Sequence, residues 1–521
     1  MHPDCEFVIQ QAWNHTVNTG SPMYRLFEKI KNCRNALVRW SKATFGQSKN
    51  NLQEKHRILE ELIKEHTVAH LEEIRRVKDE INTILYHDEL HWRQRSRSIW
   101  MKAGDKNTKF FHQRASQRLR KNNISGIFDG GGVWHESEEG IARAAESYFH
   151  ELFTSANPSD MNNVLNSVDR VVTPETNQSV LQNYTVEEVH RALFQMHPSK
   201  SPGSNGMSPF FFQKFWHIVG VDVTNAVLSV LQSGRMLQKM NFTHIVLVPK
   251  KNEPMYMSDF RPSSLENVVA RIISKVITNR LKMILPNIIS DAQSAFISAR
   301  LITDNTIVAF EVLHRMRNKR SGKKGQMAVK LDISKAYDRM EWSFLRQMML
   351  KLGFDGRWVN FAMETVCTAS YSILINGEPR GFVQPSQGIK QGDPLSPYLF
   401  LLCAEGLFGM IRRAVENREI HGVLSCPNGV CISHLLFADD SFLFCEALIE
   451  ECQRLMDIIG RYEAASGQAI NRQKTSLFFS RNTREEAYST TDCHRYYRTS
   501  PTNSELHCRC PAQWTAAFSE N

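Results

Sequence analysis

The sequence has no apolar run long enough to cross a lipid bilayer. Its most apolar long stretch, residues 398–411, is shorter than the roughly 20 residues that a transmembrane helix needs, and it contains Glu405. Residues 1–13 include Asp4 and Glu6 and lack the apolar core of a secretory signal peptide. These absences predict an intracellular protein, in the nucleus or the cytoplasm, that is neither secreted nor bound to a membrane.

Glycine and proline are almost missing from residues 24–90, which contain one glycine and no proline. Without these turn-forming residues, a long segment can stay helical. Apolar residues recur there at steps of three or four, with gaps, which is typical of an amphipathic helix or a helical hairpin. We therefore predict that residues 1–90 form a helical, charged arm. The recurring apolar residues are Leu59, Leu62, Leu71, Ile74, Val77, Ile81 and Leu85.

Acidic residues are almost missing from residues 91–121, where ten lysines and arginines stand against Asp105 alone. Aromatic side chains are interleaved with these cations, and the whole chain has a net charge of +10. Because cations neutralise phosphates and aromatic rings stack on bases, this mixture favours binding of a nucleic-acid strand. The alternative is a solvated basic helix whose aromatic rings face the core. The nucleic-acid-binding candidates are Arg93, Arg95, Arg97, Lys102, Lys106, Lys109, Phe110 and Arg114.

A pair of adjacent aspartates, Asp439 and Asp440, lies between two apolar, β-prone runs in residues 434–444. This pattern predicts a β-hairpin with the aspartates at or near its turn. Residues 327–333 predict a buried strand ending near Asp332, and a neighbouring strand can bring this third carboxylate beside Asp439. Carboxylates side by side repel each other, and a divalent cation removes that cost. Since all these ligands are hard oxygens, Mg²⁺ is favoured over zinc.

A loop followed by a helix separates the two carboxylate segments. Residues 387–400 contain Gly392, whose backbone can approach a ligand closely, and Pro394 and Pro397, which favour the start of a long apolar helix. Each segment alone is an ordinary structural feature, and an Asp-Asp turn is usually structural. Their order and spacing together indicate two-metal nucleotidyl transfer, in which one ion activates a hydroxyl and the other holds a triphosphate.

From about residue 90 to about residue 485, the chain resembles the reverse transcriptases of non-LTR (LINE-type) retrotransposons, most like those of plants. Residues 437–440, Phe-Ala-Asp-Asp, resemble the family's catalytic box, and residues 330–338 resemble its first carboxylate motif. The resemblance implies an RNA-directed DNA polymerase that adds deoxynucleotides to a primer 3′-hydroxyl. It also implies two bound Mg²⁺ ions, with Mn²⁺ as the substitute. The implied catalytic metal ligands are Asp332, Asp439 and Asp440.

The same resemblance implies roles for residues near these carboxylates. Tyr337 corresponds to the steric gate, a flat aromatic ring that fills the space a ribose 2′-hydroxyl needs, so that deoxynucleotides are chosen. Lys250 and Arg261 correspond to residues of the fingers that hold the triphosphate. An arginine fits a phosphate group with two parallel donors, which suits Arg261 to this role.

Two further segments carry residues with implied roles. Gln391 and Gly392 resemble the part of the family's site that lies against the incoming nucleotide and the template. Lys474, within residues 466–475, resembles the lysine that protonates the departing pyrophosphate. The implied partners are an RNA template, a DNA primer and deoxynucleoside triphosphates.

The resemblance implies an α+β fold of the right-hand polymerase type, with an antiparallel palm sheet, helices behind it and a helical basic arm before it. The endonuclease, the primer grip with the thumb, and the RNase H domain of related polyproteins are expected to be absent. The expected divisions are the arm (residues 1–90), a basic aromatic segment with an N-terminal extension (91–184), the fingers (185–325), the palm (326–485) and an aberrant, disordered tail (486–521).

Some positions depart from the family's usual residues. Ala299 stands in a usual Pro-Gly-Arg, and Glu266 stands where a small residue or cysteine is usual. Together with the missing primer grip, these departures favour a second hypothesis, a catalytically inactive, nucleic-acid-binding remnant of a retroelement polymerase. An RNA-directed RNA polymerase is a third hypothesis, since Asp338 keeps the spacing of its further acid. Tyr337 and Ala438 count against that third hypothesis.

Overall fold

The chain combines helices with mainly antiparallel strands, as the sequence predicts. No helix in the described part of the chain is long and apolar enough to cross a membrane. The computed structural model describes residues 4–15, 19–46, 48–64, 70–96, 108–158, 160–425, 429–438, 440–483 and 498–499.

Helices dominate the chain up to residue 241. Thr185 and Glu188 form a capping box at the start of one of them, in which each side chain accepts a backbone N–H of the other residue. Gly234 ends another helix with a φ of +66°, a conformation that glycine adopts without strain. The elements are α1 (Asp4–Trp13), α2 (Pro22–Phe45), α3 (Ser48–Lys64), α4 (Leu71–Ser96), α5 (Thr108–Asn122), β1 (Ile127–Phe128), β2 (Trp134–His135), α6 (Glu138–Leu152), α7 (Met161–Leu165), α8 (Pro174–Val180), α9 (Val186–Phe194), α10 (Pro209–Lys214), α11 (Trp216–Ser233) and α12 (Gln238–Asn241).

Strands and helices alternate in the rest of the chain. Two short 3₁₀ helices, Met257–Asp259 and Leu285–Asn287, lie among them. The elements are β3 (Phe242–Pro249), β4 (Phe260–Leu265), α13 (Val268–Ile284), α14 (Ile302–Asn318), β5 (Gln326–Ser334), α15 (Trp342–Leu352), α16 (Gly356–Cys367), β6 (Ser370–Ile375), β7 (Glu378–Val383), α17 (Ser396–Glu416), β8 (Val423–Leu424), β9 (Cys431–Ile432), β10 (His434–Phe437), β11 (Asp440–Glu446), α18 (Ile449–Ser466), β12 (Ala469–Ile470), β13 (Ser476–Phe479) and β14 (Arg498–Thr499).

The larger sheet has six strands, with β5 in its interior. The order is β10-β11-β5-β13-β14, and β12 also pairs with β5. The pairs are antiparallel apart from β13 with β14, which run parallel. Met327, Ala328, Val329 and Leu331 of β5 are all buried, because helices cover both faces of the sheet at this strand.

A second sheet of four strands has the order β4-β3-β6-β7. β3 pairs with β6 in parallel, while β3 with β4 and β6 with β7 are antiparallel. Phe149 and Phe153, from α6 and the residue after it, pack with Ile245 and Tyr371 of this sheet in a separate apolar cluster. Helix α6 is therefore packed against the smaller sheet, whereas Val164 of α7 and Val180 of α8 belong to the main core.

Helices on one face of the larger sheet contribute to the main core. α17 is buried on nearly all sides, with Leu399, Phe400 and Leu402 each at most 1% exposed. α14 covers the opposite face, where Val312 packs in a cluster with Phe442. Helices thus pack against both faces of the larger sheet and hold in place the strands that carry the polar residues described below.

The N-terminal segment is helical, as predicted, but its first part is not a separate arm. Trp13 and Leu26 are buried in the main core. The Trp13 Nε1 atom donates to Asp222 Oδ2 at 2.8 Å, and Lys29 forms an ion pair with the same oxygen at 2.7 Å. Residues of α1 and α2 thus join the main core by covering α11, whereas α3 and α4 pair with each other through Lys55 and Glu80.

Candidate active site

β10 and β11 form the hairpin that the sequence predicts around the paired aspartates. Phe437 pairs with Asp440 at the end of the hairpin. The next residue, Ala438, has a φ of +51°, a left-handed conformation suited to tight hairpin turns. Asp439, one of the three predicted metal ligands, lies outside the described residues.

The first carboxylate motif lies beside this hairpin. β5 and β11 are antiparallel neighbours, and Asp332 pairs directly with Asp440. Side chains at directly opposed positions of such a pair have Cβ atoms about 4.5–5.5 Å apart. The sequence predicts that Asp332 approaches the paired aspartates, and the described member of that pair, Asp440, is its strand partner.

The Asp440 carboxyl is partly desolvated and lies among charged groups. Burial raises its pKa above the ordinary value, and the negative charge of Asp332 raises the pKa further. Lys330 and Lys474 act in the opposite direction, and Lys330 Nζ lies 3.9 Å from Asp440 Oδ1. No sequence motif assigns a role to Lys330, although strand alternation places it on the same face of β5 as Asp332.

This donor set suits a hard divalent cation. The raised pKa of Asp440 means that the surrounding side chains do not fully compensate its ionised form. A cation coordinated by carboxylate oxygens supplies the missing positive charge, and Mg²⁺ prefers such ligands. Asp332 and Asp440 therefore fit a Mg²⁺ site.

Lys474 lies on an exposed loop that is fixed to the backbone of β5. The Asn471 N–H donates to the carbonyl oxygen of Asp332 at 2.7 Å, and the Lys474 N–H donates to the carbonyl of Asn471 at 3.1 Å. The charge of Lys474 lowers the pKa of Asp440 and also that of Lys250, so this lysine is an electrostatic neighbour of both groups. The structure thus brings a predicted proton donor to the carboxylates.

Lys250 and Arg261 come from the β3–β4 hairpin. Val248 pairs with Arg261 across this hairpin, and the Lys250 N–H donates to the carbonyl of Asp259 at 2.8 Å. Burial lowers the pKa of Lys250, and the positive charges of Lys474 and Arg261 lower it further. Three cations, two from this hairpin and one from the loop of Lys474, therefore share one region, which is an arrangement that a polyphosphate can neutralise.

Tyr337 lies in the turn that follows β5. Its ring stacks on Phe400 of α17, with centroids 5.4 Å apart and an interplanar angle of 25°. Its carbonyl accepts the N–H of Ile389 at 2.8 Å. The ring predicted as the steric gate is thus fixed by a buried aromatic residue behind it.

The Gln391-Gly392 loop is fixed at both its backbone and its side chain. The Gln391 carbonyl accepts the Ser264 N–H at 3.0 Å, and the Gln391 Nε2 atom lies 3.4 Å from both carboxylate oxygens of Asp338. Gly392 has a φ of +104°, which an L side chain rarely adopts. These contacts connect the loop with β4 and with the segment after β5.

Residues 248–501 match the reverse transcriptase (RNA-dependent DNA polymerase) family. Over these residues the chain is similar to reverse transcriptase domains. The match begins at Val248 in β3 and includes both carboxylate strands. It ends inside residues 486–521, which the sequence analysis expects to be an aberrant tail.

Several proteins that are similar to this chain come from transposable elements. The chain is 27% identical over 394 residues to an uncharacterized 149 kDa protein of transposon TX1 from Xenopus laevis, which covers 73% of this chain and 29% of that protein. It is 24% identical over 321 residues to a retrovirus-related Pol polyprotein from a type-2 retrotransposable element of Drosophila melanogaster, covering 60% and 28%. The predicted kinship with reverse transcriptases of non-LTR retrotransposons is confirmed.

A plant protein matches a shorter part of the chain. An uncharacterized mitochondrial protein of Arabidopsis thaliana is 53% identical over 76 residues, which are 15% of this chain and 62% of that protein. The chain therefore spans under a third of the length of the two transposon proteins and under two thirds of this plant relative.

Asp338 is a buried acid of the reverse transcriptase domain, with 2% exposure. Burial raises its pKa to about 7, against the opposing charges of Lys335 and Lys250. Burial also lowers the pKa of Lys335 to about 8, and Lys335 Nζ lies 4.4 Å from the centre of the Tyr148 ring. In the sequence, Asp338 bears only on the RNA-polymerase hypothesis, because a polar residue in a turn carries no local signal of burial.

Glu266, one of the departures from the family pattern, is part of a buried ionic cluster. Its carboxylate accepts a hydrogen bond from Lys390 Nζ, which also donates to Asn241 Oδ1 at 2.8 Å. Asp393 lies 3.3 Å from the same ammonium group. Burial raises the pKa of Glu266 to about 7, as does the nearby charge of Asp393, against the opposing effect of Lys390. Lys390 immediately precedes Gln391, so the cluster anchors the loop described above.

The basic aromatic segment before the domain is only partly described. Phe110 and Arg114 lie on α5, where Arg114 is exposed and Phe110 is half-buried. Phe111 is 2% exposed and packs edge-on against Phe110 at 5.6 Å. For Phe111 the alternative prediction, a ring that faces the core, is therefore correct. Arg93 and Arg95 lie in α4 and Lys109 lies in α5, without described side chains; Arg97, Lys102 and Lys106 lie outside the described residues.

Proposed function

We propose that the chain is an RNA-directed DNA polymerase that extends a DNA primer along an RNA template with deoxynucleoside triphosphates. The observation that carries the proposal is the direct pairing of Asp332 with Asp440 inside a reverse transcriptase domain. Three cations from two separate segments, Lys250 and Arg261 of the β3–β4 hairpin and Lys474, share the same electrostatic neighbourhood. A site with clustered carboxylates and clustered cations is what binding of a metal triphosphate requires.

Asp332, Asp439 and Asp440 would hold two Mg²⁺ ions, with Mn²⁺ as the substitute. When bound, these ions supply acidification of the primer 3′-hydroxyl and neutralisation of the leaving pyrophosphate. The unbound site carries the electrostatic cost seen in the raised pKa of Asp440. Lys330 offsets part of this cost through its approach to Asp440 Oδ1 at 3.9 Å.

The remaining site residues bind and orient the nucleotide. Lys250 and Arg261 hold the triphosphate, and Lys474 gives a proton to the pyrophosphate as it leaves. The Tyr337 ring, backed by Phe400, excludes a ribose 2′-hydroxyl. Gln391 and Gly392 lie against the base pair that forms between nucleotide and template.

The proposed architecture is that of a right-hand polymerase. The six-stranded sheet, apart from β14, corresponds to the palm together with α15, α17 and α18, within residues 326–485. The four-stranded sheet and the helices around α11 and α13 correspond to the fingers, mainly within residues 185–325, and the basic segment 91–184 leads the nucleic acid toward them. β6 and β7 come from the palm range in sequence but complete the fingers sheet.

A second candidate is a catalytically inactive remnant that still binds nucleic acid. The observation that favours it is Ala299, which replaces a usual glycine and has a φ of +66°. An alanine in this conformation costs roughly 1 kcal/mol, as expected when selection on a sequence has relaxed. The two candidates share the fold and differ in activity.

Primer extension tests the proposal. The full chain is given an RNA template, a labelled DNA primer, deoxynucleotides and Mg²⁺, beside the Asp439→Ala/Asp440→Ala variant. Asp457→Ala, which removes an exposed carboxylate of α18, is the matched control. We expect extension by the wild type and the control, and none by the double variant. If the wild type binds RNA but extends no better than the double variant, the remnant is correct and the polymerase proposal is wrong.

A further inference from the structure

The segment between the 3₁₀ helix Leu285–Asn287 and α14 holds the outer strand of the aspartate hairpin. The Leu436 N–H donates to the carbonyl of Ala292 at 3.0 Å, and the Ser294 N–H donates back to the carbonyl of Leu436 at 3.3 Å. Asn305 Nδ2 donates to both of these carbonyls, at 2.8 Å to Ala292 and 2.7 Å to Leu436. β10 is thus paired with β11 on one side and with this segment on the other.

Gln293, in the same segment, also contacts the turn of the hairpin. Its Oε1 atom accepts the Ala438 N–H at 3.2 Å and the Ala295 N–H at 2.9 Å. The side chain is 1% exposed, and its Nε2 atom has no hydrogen-bond partner among the described residues. A buried amide that leaves its donor unused is uncommon and calls for a reason beyond packing.

The hydrogen bond to Ala438 is made at a residue with an unfavourable backbone conformation. Ala438 has a φ of +51°, which costs a non-glycine residue roughly 1 kcal/mol or more. Its neighbours in sequence are the hairpin strand and the paired aspartates, so a change in this turn moves the carboxylates. A buried acceptor that fixes the Ala438 N–H therefore restricts where those carboxylates lie.

We propose that Gln293 is a positioning residue for the metal-binding turn, acting through the Ala438 N–H, with Asn305 supporting it through the Leu436 carbonyl. This inference rests on the proposed function, because it assigns the turn a metal-binding role. Gln293 binds neither metal nor nucleotide through Oε1, since both hydrogen bonds of that atom go to backbone N–H groups. Loss of Gln293 therefore weakens metal binding by allowing the turn to leave its productive conformation.

Three variants separate this role from ordinary packing. Gln293→Met keeps the volume and removes the acceptor, whereas Gln293→Glu keeps an acceptor at Oε1. Gln213→Met is the matched control, since Gln213 is a half-buried glutamine of α10 that bonds the carbonyls of Leu193 and Met196 instead. For each protein, hydrogen exchange in the peptide covering residues 434–444 reports the turn, and Mn²⁺ binding to the free protein reports the site. Primer extension as a function of Mg²⁺ concentration reports the reaction.

The expected result is specific to the hairpin. Gln293→Met should speed exchange in residues 434–444, weaken Mn²⁺ binding and raise the Mg²⁺ concentration for half-maximal extension, each by about fivefold, as loss of one hydrogen bond predicts. The KM for the deoxynucleotide should change little while kcat falls. Gln293→Glu should restore slow exchange, and Gln213→Met should match the wild type in all three measurements.

The inference is overturned if Gln293→Met exchanges and binds Mn²⁺ like the wild type. Should that variant fail to fold, Asn305→Ala must give the same hairpin-specific signature; if neither folds, the segment serves folding alone and the positioning role is rejected. If the wild type itself extends no primer, the proposed polymerase function fails, while exchange and Mn²⁺ binding still decide the role of Gln293.

Discussion

Asp332 of β5 lies directly opposite Asp440 of β11. Asp440 is the first residue of β11 and Asp332 lies two residues before the end of β5, so the two carboxylates lie near one end of these paired strands. Burial and the charge of Asp332 both raise the pKa of Asp440. The pairing therefore stores an electrostatic cost that a divalent cation relieves, which is the physical basis for the proposed metal site.

Replacing Tyr337 by alanine should relax the choice of sugar. The Tyr337 ring is held against Phe400, and without it the space for a ribose 2′-hydroxyl is open. We expect ribonucleotide incorporation relative to deoxynucleotide to rise by about tenfold or more, measured as the ratio of kcat/KM values in primer extension. Tyr337→Phe keeps the ring and should discriminate like the wild type. Equal discrimination by the alanine variant would argue that another group forms the gate.

Asp338→Asn should change how stability depends on pH. The folded pKa of Asp338 is about 7 because of burial, whereas an unfolded aspartate has a pKa of about 3.9. The native state therefore binds the proton more tightly, so the contribution of Asp338 to stability falls as pH rises from about 4 to about 7. The groups that face it and oppose this effect are Lys335, Lys250, Arg339 and Gln391.

An asparagine removes that titration. The stability of the variant minus that of the wild type should therefore be more favourable at pH 8 than at pH 5, by more than about 1 kcal/mol. Urea unfolding at the two pH values measures the difference. Asp457→Asn, at an exposed position of α18, should show no such change. A difference for Asp338→Asn that is equal at both pH values would rule out a buried titrating carboxyl.

Ala299→Gly should stabilise the chain. Ala299 has a φ of +66°, where an L side chain is strained and glycine is not. Part of the gain is offset because glycine increases the entropy of the unfolded chain. We expect a net gain of about 0.5 kcal/mol in the free energy of unfolding. Ala464→Gly, in the exposed face of α18, should instead lose about 1 kcal/mol. If both substitutions destabilise equally, the backbone at Ala299 is not strained.

Lys390→Met should be strongly destabilising. It leaves the buried Glu266 carboxyl without its ammonium partner, and breaking one side of such a pair costs about 3–5 kcal/mol. Adding Glu266→Leu should recover part of the loss, because Asp393 keeps its hydrogen bonds from Ser274 Oγ and the Leu395 N–H. Urea unfolding of the single and double variants completes the cycle. Additive losses would show that Glu266 and Lys390 are not coupled.

Some of the candidate site was predictable because its signals are local. Apolar, β-prone runs on both sides of the paired aspartates and before Asp332 predict strands, and the structure contains these strands. The sequence predicts only that Asp332 can approach the paired aspartates, because the residues of a strand do not identify the strand with which it pairs. The buried state of Glu266 and Asp338 was not predicted, because neither residue lies in a periodic pattern that marks an inward face.

The N-terminal segment illustrates the same limit. Its helices were predicted from the scarcity of glycine and proline, which is a property of the chain itself. Whether those helices form a separate arm depends on their tertiary contacts. Trp13 donates a hydrogen bond to Asp222 and is buried in the main core. An amphipathic pattern predicts that one face of a helix will be buried, but it does not identify the element that packs against that face.

The sequence by itself determined the elements and the chemical type of the site, namely carboxylates within or beside β-prone apolar runs, cations at separate positions in the chain and a resemblance to reverse transcriptases. Tertiary structure alone decided the strand register that places Asp332 opposite Asp440, the hydrogen bond from the Ala438 N–H to Gln293 Oε1, and the burial that raises the pKa of Asp338. The reason is physical. Helix and strand patterns arise from neighbours in sequence, whereas register, burial and electrostatic coupling arise from groups that meet only when the chain has folded.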